Sequence, residues 1–237
     1  MPATDYYNRL ASRIGAALGT PTAAGPLYEV DTRLRPQGAQ GMLAVSLAAF
    51  EEYQRREAWT WEHMALCRAR PLTGSEEVRR KVRDLVCSVL QAPGDRGKIR
   101  ADAAAMRDEM ARHKPPAGPL DIKLGRGGLV DLEFAVHTLQ LTANVGLDPR
   151  LEVALGALVD AGLIDDGADA DLRLLSRMLV VLRLVGGKAM EPAEQSRLLV
   201  ATLCGFGDWP ELLAAVDTTR HRIAARWDAV KGVDDAE

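Results

Sequence analysis

The sequence predicts an α+β fold, mostly α, in two domains. Three observations carry this. Residues 27–36 alternate apolar and charged with period 2. Apolar residues recur at helical spacing in the first eighteen residues and again from Ser75 onward. Composition shifts from mixed to helical near Gly74, dividing the chain into 1–74 and 75–237.

Within Leu27-Tyr28-Glu29-Val30-Asp31-Thr32-Arg33-Leu34-Arg35-Pro36, the residues Tyr28, Val30, Thr32 and Leu34 share one parity. Glu29, Asp31, Arg33 and Arg35 share the other. Side chains alternate across a strand, so the segment is expected to be a half-buried strand with two carboxylates and two guanidiniums on one face. A carboxylate flanked by arginines suits metal-bound triphosphate: an oxygen ligand for Mg²⁺ and forked cations for phosphate. The same pattern also fits a solvated strand face with cross-strand ion pairs.

In chain order, Tyr6, Leu10, Ile14 and Leu18 recur every fourth residue, predicting a helix over 5–18 that Gly19 stops. Thr20 to Pro26 is a turn-forming connector. Gln37-Gly38-Ala39-Gln40-Gly41 is a loop whose glycines would admit a ligand close to the backbone. Ser46 caps a helix over 47–57. Trp59 and Trp61 are expected in the core, and His63, with no nucleophile or companion ligand nearby, carries no catalytic expectation. Arg68 and Arg70 are either phosphate contacts or a solvated edge.

Ser75 opens a helix to Leu90, and a second runs over 98–113, joined by 92–97. Residues 114–119 read as a hinge. Gly127-Gly128-Leu129-Val130-Asp131-Leu132-Glu133 imitates a metal motif. Its apolar residues nonetheless have helical spacing, and positions i and i+2 of a helix point about 200° apart. A buried helix is therefore expected, its acids neutralised by Lys123 or Arg126, with phosphate binding at its N-terminus as a weaker reading. Further helices follow over 150–161, on the Leu172, Leu175, Leu179 and Leu182 stripe ended by Gly186-Gly187, and from Asp208, where Glu211 completes a capping box and Pro210 suits the first turn. Leu213, Val216, Ile223, Trp227 and Val230 form the last apolar face.

The chain has 237 residues, 47% hydrophobic and 27% charged, with a formal net charge of −3. That balance suits an ordinary globular protein and disfavours a dedicated nucleic-acid binder. Arg79 to Lys114 is basic and Val233 to Glu237 acidic. Cys67, Cys87 and Cys204 are odd in number and widely spaced, and the first residues carry no secretory signal. Buried thiols in a reducing cytoplasm are expected rather than bridges. No apolar run reaches the roughly 20 residues of a membrane span.

The strings YEVDTRLRP (28–36), GAQGML (38–43) and AFEEYQRREAWTWEHMALCRARP (49–71) closely resemble the glutamine synthetase adenylyltransferase family. The likeness runs from Asp5 to about Arg112, resumes at Asp121-Ile122-Lys123 and at 127–134, and then thins. EAWTWEHMAL (57–66) resembles the adenylylating half more than the AMP-removing half. This resemblance implies a partial polymerase-β-like nucleotidyltransferase domain over 1–74. Over 75–237 it implies a helical domain of the type shared with the PII-uridylyltransferase. It implies transfer of AMP from ATP to a tyrosine of glutamine synthetase, in nitrogen metabolism, with Mg²⁺ as cofactor and the PII signal protein as a further partner. Asp31 would be the third metal carboxylate and catalytic base, Arg33 and Arg35 phosphate ligands, and Glu29 the support that holds an arginine. The family's first two carboxylates, one residue apart after a Gly-Gly or Gly-Ser turn, lie upstream of the matched region. The chain is therefore expected to be a portion of a larger enzyme, inactive alone. The rival expectations are a non-catalytic helical docking module for glutamine synthetase or PII, and RNA nucleotidyl transfer, which the net acidity disfavours.

Overall fold

The computed structural model describes residues 1–26, 28–92, 94–185 and 189–232. These residues are mostly helical, and they divide into two compact units. One comprises 1–65 with 71–89, the other 66–70 with 90–237. The helix that begins at Glu76 falls in the first unit, whose last residue is Val89. A bond from Arg55 Nη2 to Ser88 Oγ, 2.7 Å, ties that helix into its unit.

In the N-terminal unit, α1 spans Ala3–Leu18 and ends at Gly19, whose N–H donates to the Gly15 carbonyl. None of its residues is buried, and its apolar stripe of Tyr6, Leu10, Ile14 and Leu18 faces outward. What fixes it is Asn8, whose amide donates to the Ala44 carbonyl at 2.9 Å and accepts from the Ala44 N–H at 3.1 Å, as a strand partner would. The connector after α1 forms a minimal hairpin, β1 (Pro21–Thr22) against β2 (Gly25–Pro26), antiparallel.

The strand expected over 27–36 does not form. Leu27 lies outside the described residues, and Tyr28 to Arg33 have no regular structure. A strand exists only if a neighbour takes its ladder bonds. Among the described residues, the amides from Tyr28 to Leu34 find an acceptor at Tyr28 (the Leu18 carbonyl, 3.3 Å) and at Arg33 (Asp31 Oδ1, 2.9 Å). Tyr28, Val30 and Leu34 are exposed.

A 3₁₀ turn over Gly38–Gln40 follows, then α2 (Leu47–Arg56), whose first turn is capped by Ser46 Oγ accepting from the Ala49 N–H. α3 (Thr60–Leu66) is held by the buried Glu62, which accepts from the Trp59 N–H and from the Tyr53 hydroxyl, both at 2.9 Å. Trp59 and Trp61 are exposed, not core residues. α3 is only seven residues long, and its inward turn is taken by Glu62 and Met64. α4 spans Glu76–Leu90.

The C-terminal unit holds the larger core. α5 (Arg96–His113) starts on Asp95, whose carboxylate accepts from the Lys98 N–H, while Pro93 of its connector lies outside the described residues. α6 (Leu129–Ala143) lies at the centre, with 13 of its 15 residues buried. It packs on α5, α7 (Leu151–Asp160), α8 (Ala168–Leu184) and α10 (Trp209–Lys231). An all-round apolar helix is stable only when covered on every side, and these neighbours supply the cover. Phe134 meets Trp227 edge-on, with centroids 5.7 Å apart. α9 (Glu194–Cys204), which the sequence reading did not single out, packs on α8 and α10. The Gly186-Gly187 stop and the acidic tail fall outside the described residues. Asp208 accepts from the Glu211 N–H at 2.8 Å, and Glu211 accepts from the Gly207 N–H in return.

Candidate functional site

Asp31 and Arg33 come together at the surface. Arg33 Nη2 donates to Asp31 Oδ2 at 2.7 Å and its Nε to Oδ1 at 3.0 Å, a two-pronged pair closed by the Arg33 backbone N–H. The side chains are 77% and 52% exposed. The carboxylate's hydrogen bonds and charge push the Arg33 pKa above its ordinary value. An ion pair so exposed is weak, so Arg33 can leave the carboxylate at little cost. Asp31 offers hard oxygens of the kind Mg²⁺ prefers. Among the described residues, no group of three or more His, Cys, Asp and Glu is placed to hold a metal.

Arg35 sits differently. Its Nε donates to the Gly41 carbonyl (3.0 Å), Nη1 to the Thr32 carbonyl (2.5 Å) and Nη2 to the Ala39 carbonyl (3.0 Å). It is the post around which 36–41 folds, with all three nitrogens already engaged. Glu29 is exposed and pairs with no arginine among the described residues, since Asp31 takes Arg33. Gly41 is needed for room, but the room is filled by the chain itself: an added Cβ would lie 1.8 Å from the Pro36 carbonyl oxygen. His63 Nε2 bonds the Gln54 carbonyl at 2.9 Å, a structural contact.

In the second acidic motif Asp131 is buried and paired. Asp131 Oδ1 accepts from Arg107 Nε at 2.6 Å, and Oδ2 accepts from the Gly127 N–H at 2.6 Å. The partner is therefore Arg107 of α5, not Lys123 or Arg126. Arg126 instead reaches Asp228 on α10. Glu133 lies 3.6 Å from Arg68, and both Arg68 and Arg70 are exposed. The N-terminus of α6 has no amides to spare for phosphate: Leu129 N–H donates to the Ile122 carbonyl and Val130 N–H to Lys123. Gly127, at φ 68°, and Gly128 are glycines because of packing. A Cβ on Gly127 would lie 1.9 Å from the Arg220 carbonyl oxygen, and one on Gly128 2.7 Å from that of Ile122. Asp121 accepts from the N–H groups of Ala117, Lys123 and Leu124. Burial raises its pKa, but those three bonds outweigh it and leave the carboxyl below its usual range.

Residues 1–84 match the profile of the family described as glutamate-ammonia ligase adenylyltransferase, and residues 98–230 match that described as GlnD PII-uridylyltransferase. The chain belongs to the glutamine synthetase adenylyltransferase family. Among its relatives is a bifunctional glutamine synthetase adenylyltransferase/adenylyl-removing enzyme of Agrobacterium fabrum. It is 38% identical over 217 residues, covering 87% of this chain and 22% of the relative. The enzyme of the same description from Caulobacter vibrioides is 38% identical over 236 residues, 95% of this chain and 24% of the relative. That from Brucella melitensis is 48% identical over 147 residues, 62% and 15% of the two chains. The chain thus spans about a quarter or less of the length of these adenylyltransferases.

Three of the stretches that carry the resemblance thereby acquire different explanations. YEVDTRLRP presents an exposed acid and arginine, whereas DIK and GGLVDLEF build the seat of α6. Sequence reasoning missed Arg107. The available signal was an arginine among the alanines of α5, in a helix whose neighbour buries an acid.

Proposed function

We propose that this chain is the part of an adenylyltransferase that carries Asp31, and that it takes part in moving AMP from ATP to a tyrosyl hydroxyl of glutamine synthetase. What supports the reading is the Asp31–Arg33 pair, exposed and cheaply opened, within the adenylyltransferase-matched residues. The tyrosyl oxygen attacks the α-phosphorus, the bond to the β-phosphate oxygen breaks, and pyrophosphate leaves. Asp31 would accept the tyrosyl proton or hold the attacking oxygen's metal. Arg33, once released from Asp31, would bind phosphate oxygens. Arg35 would shape the loop beside them, with its phosphate role requiring that it leave three carbonyls. Glu29 would take up an arginine only after Arg33 moves. Mg²⁺, held by Asp31 together with the triphosphate, would neutralise charge developing on the phosphates. On this reading the chain works in the cytoplasm with ATP, glutamine synthetase and PII signal protein, and not with nucleic acid or membrane. Its three free cysteines suit that compartment, and among the described residues no single helix is long and apolar enough to cross a membrane.

Transfer through Asp31 needs further carboxylates, because no metal-sized acidic group forms among the described residues. The chain incubated alone with Mg²⁺, α-labelled ATP and glutamine synthetase is therefore expected to transfer no label. The same chain exchanged for its matching region in the Agrobacterium fabrum relative is expected to restore transfer. Stoichiometric labelling by the isolated chain would remove Asp31 from its role. A second reading, a docking module without catalysis, rests on the self-contained helical core and its match to the PII-uridylyltransferase profile. It predicts a chimera that binds glutamine synthetase or PII but transfers nothing.

A further inference from the structure

A cavity of about 650 Å³ opens between α8, the end of α9 and α10. That volume lies within the range of ligand pockets, roughly 300–1,000 Å³. Its charge does not cancel. Across the wall, Arg222 donates to Asp171, which also accepts from Arg226 Nη1 at 2.6 Å and from the Thr219 hydroxyl at 3.0 Å. Arg226 is further paired with Asp165, and Arg173 with Asp169. Asp171, the carboxylate of the lining, is thereby shared between two arginines, while Asp165 and Asp169 are held by Arg226 and Arg173. Arg177, lining the cavity on α8, has no carboxylate partner among the described residues and remains exposed. Arg222 also lines the cavity and is 48% exposed; its Nε and Nη2 are taken by Asp171 and Thr219, and its Nη1 has no bonding partner among the described residues.

The floor is apolar. Leu174 and Phe206 contribute surface, and Ala214 and Ala215 are small enough to leave the space open. Gly205 ends α9 at φ 92°, which turns Phe206 toward the cavity. Burial pushes the Cys204 thiol up in pKa, with Arg177 opposing, so the wall carries no thiolate to repel an anion.

We propose that this cavity binds a small organic anion, its oxyanion head on Arg177 and Arg222 and its apolar body against Leu174 and Phe206. Guanidiniums favour phosphate and carboxylate because their forked donors match two oxygens at once. The proposal is independent of adenylyl transfer, since every residue it uses belongs to the helical unit.

Phenyl phosphate, benzoate and phenol, titrated calorimetrically into the full 237-residue chain, test it. One saturable site is expected for phenyl phosphate or benzoate, the tighter of the two identifying the head group, with no binding of phenol. Arg177→Gln should weaken binding about tenfold, the value of a lost hydrogen-bonded charge contact. Ala215→Phe should weaken it as well, by filling space without altering charge. Arg183→Gln removes the same charge from the same helix away from the cavity lining, and should change nothing. Circular dichroism of each variant establishes that it is folded. Absence of saturable binding at millimolar concentrations, binding of phenol equal to that of the anions, equal weakening by Arg183→Gln, or unchanged binding in both Arg177→Gln and Ala215→Phe would each overturn the proposal.

Discussion

Asp131→Asn is the substitution whose effect the structure fixes most tightly. The Asp131 and Arg107 side chains are 3% and 8% exposed, and meet at 2.6 Å. The Asn amide keeps the shape and can still accept from one donor, but it removes the negative charge. Arg107 would remain buried with its charge uncompensated, keeping its 3.1 Å bond to the Leu124 carbonyl. Removing one partner of a buried pair strands the other charge and costs about 3–5 kcal/mol. Here the loss also frees the Gly127 N–H or weakens its bond, in the loop that seats α6. In a chain of this length 1 kcal/mol corresponds to about 2–4 °C, so melting should drop by roughly 6–20 °C. Urea unfolding followed by fluorescence of the buried Trp209 and Trp227 reads the change. Arg107→Leu with Asp131→Leu should recover much of it, since a buried pair is often replaceable by apolar groups. A loss below about 1 kcal/mol, as expected of a surface pair, would refute the burial argument.

Three further outcomes follow from the same geometry. Gly127→Ala should lower stability by at least about 2 kcal/mol in urea titration, because φ 68° and the Arg220 carbonyl at 1.9 Å leave a methyl group no place. Burial, with repulsion from Arg68, pulls the His137 pKa down to about 4 against the opposing bond to Gln140. The unfolded chain then takes up its proton first as pH falls from about 6.5, and stability should decline by up to about 3 kcal/mol by pH 4. His137→Gln should flatten that part of the pH–stability curve. At lower pH Asp171 adds a loss of the same sign: burial raises its pKa, but Arg222 and Arg226 outweigh that and depress it, so its contribution disappears as the carboxylate protonates. Hydrogen exchange should be faster over 1–34 than over 129–143, because α1 buries no residue whereas α6 buries nearly all of its own. Equal protection of the two segments would contradict this.

Local signals in the sequence were reliable where the physics is local. Ser46 and Asp208 cap the helices they precede, Gly19 stops α1, and the helical spacing of 129–141 identifies a buried helix rather than a metal loop. Partners were less legible. Arg107 lies 24 residues from Asp131 on another helix, and nothing in the spacing favours it over Lys123 or Arg126, which are nearer along the chain. Alternation at 28–35 records side-chain parity, but a ladder also needs a neighbour, and here backbone partners are few. Large aromatics usually find cover, but Trp59 and Trp61 are exposed, because the short helix Thr60–Leu66 buries other positions. At the candidate site, the Asp31–Arg33 proximity was visible as a shared face, whereas Arg35's capture by the carbonyls of its own loop depends on the turn at 36–41.

Whether adenylyl transfer runs through Asp31 is decided most directly by titrating Mg²⁺ against rate in the Agrobacterium fabrum chimera carrying Asp31→Asn or Asp131→Asn. Asp31→Asn should lower turnover by roughly 10²-fold or more and shift the Mg²⁺ requirement, since it removes the charge that binds metal or takes the proton. Arg33→Ala, run alongside, should raise the ATP concentration needed without moving the Mg²⁺ midpoint. Asp131→Asn should lower the melting temperature and leave the Mg²⁺ midpoint unchanged. A shifted Mg²⁺ midpoint in Asp131→Asn, with Asp31→Asn retaining full turnover, would contradict the role given to Asp31.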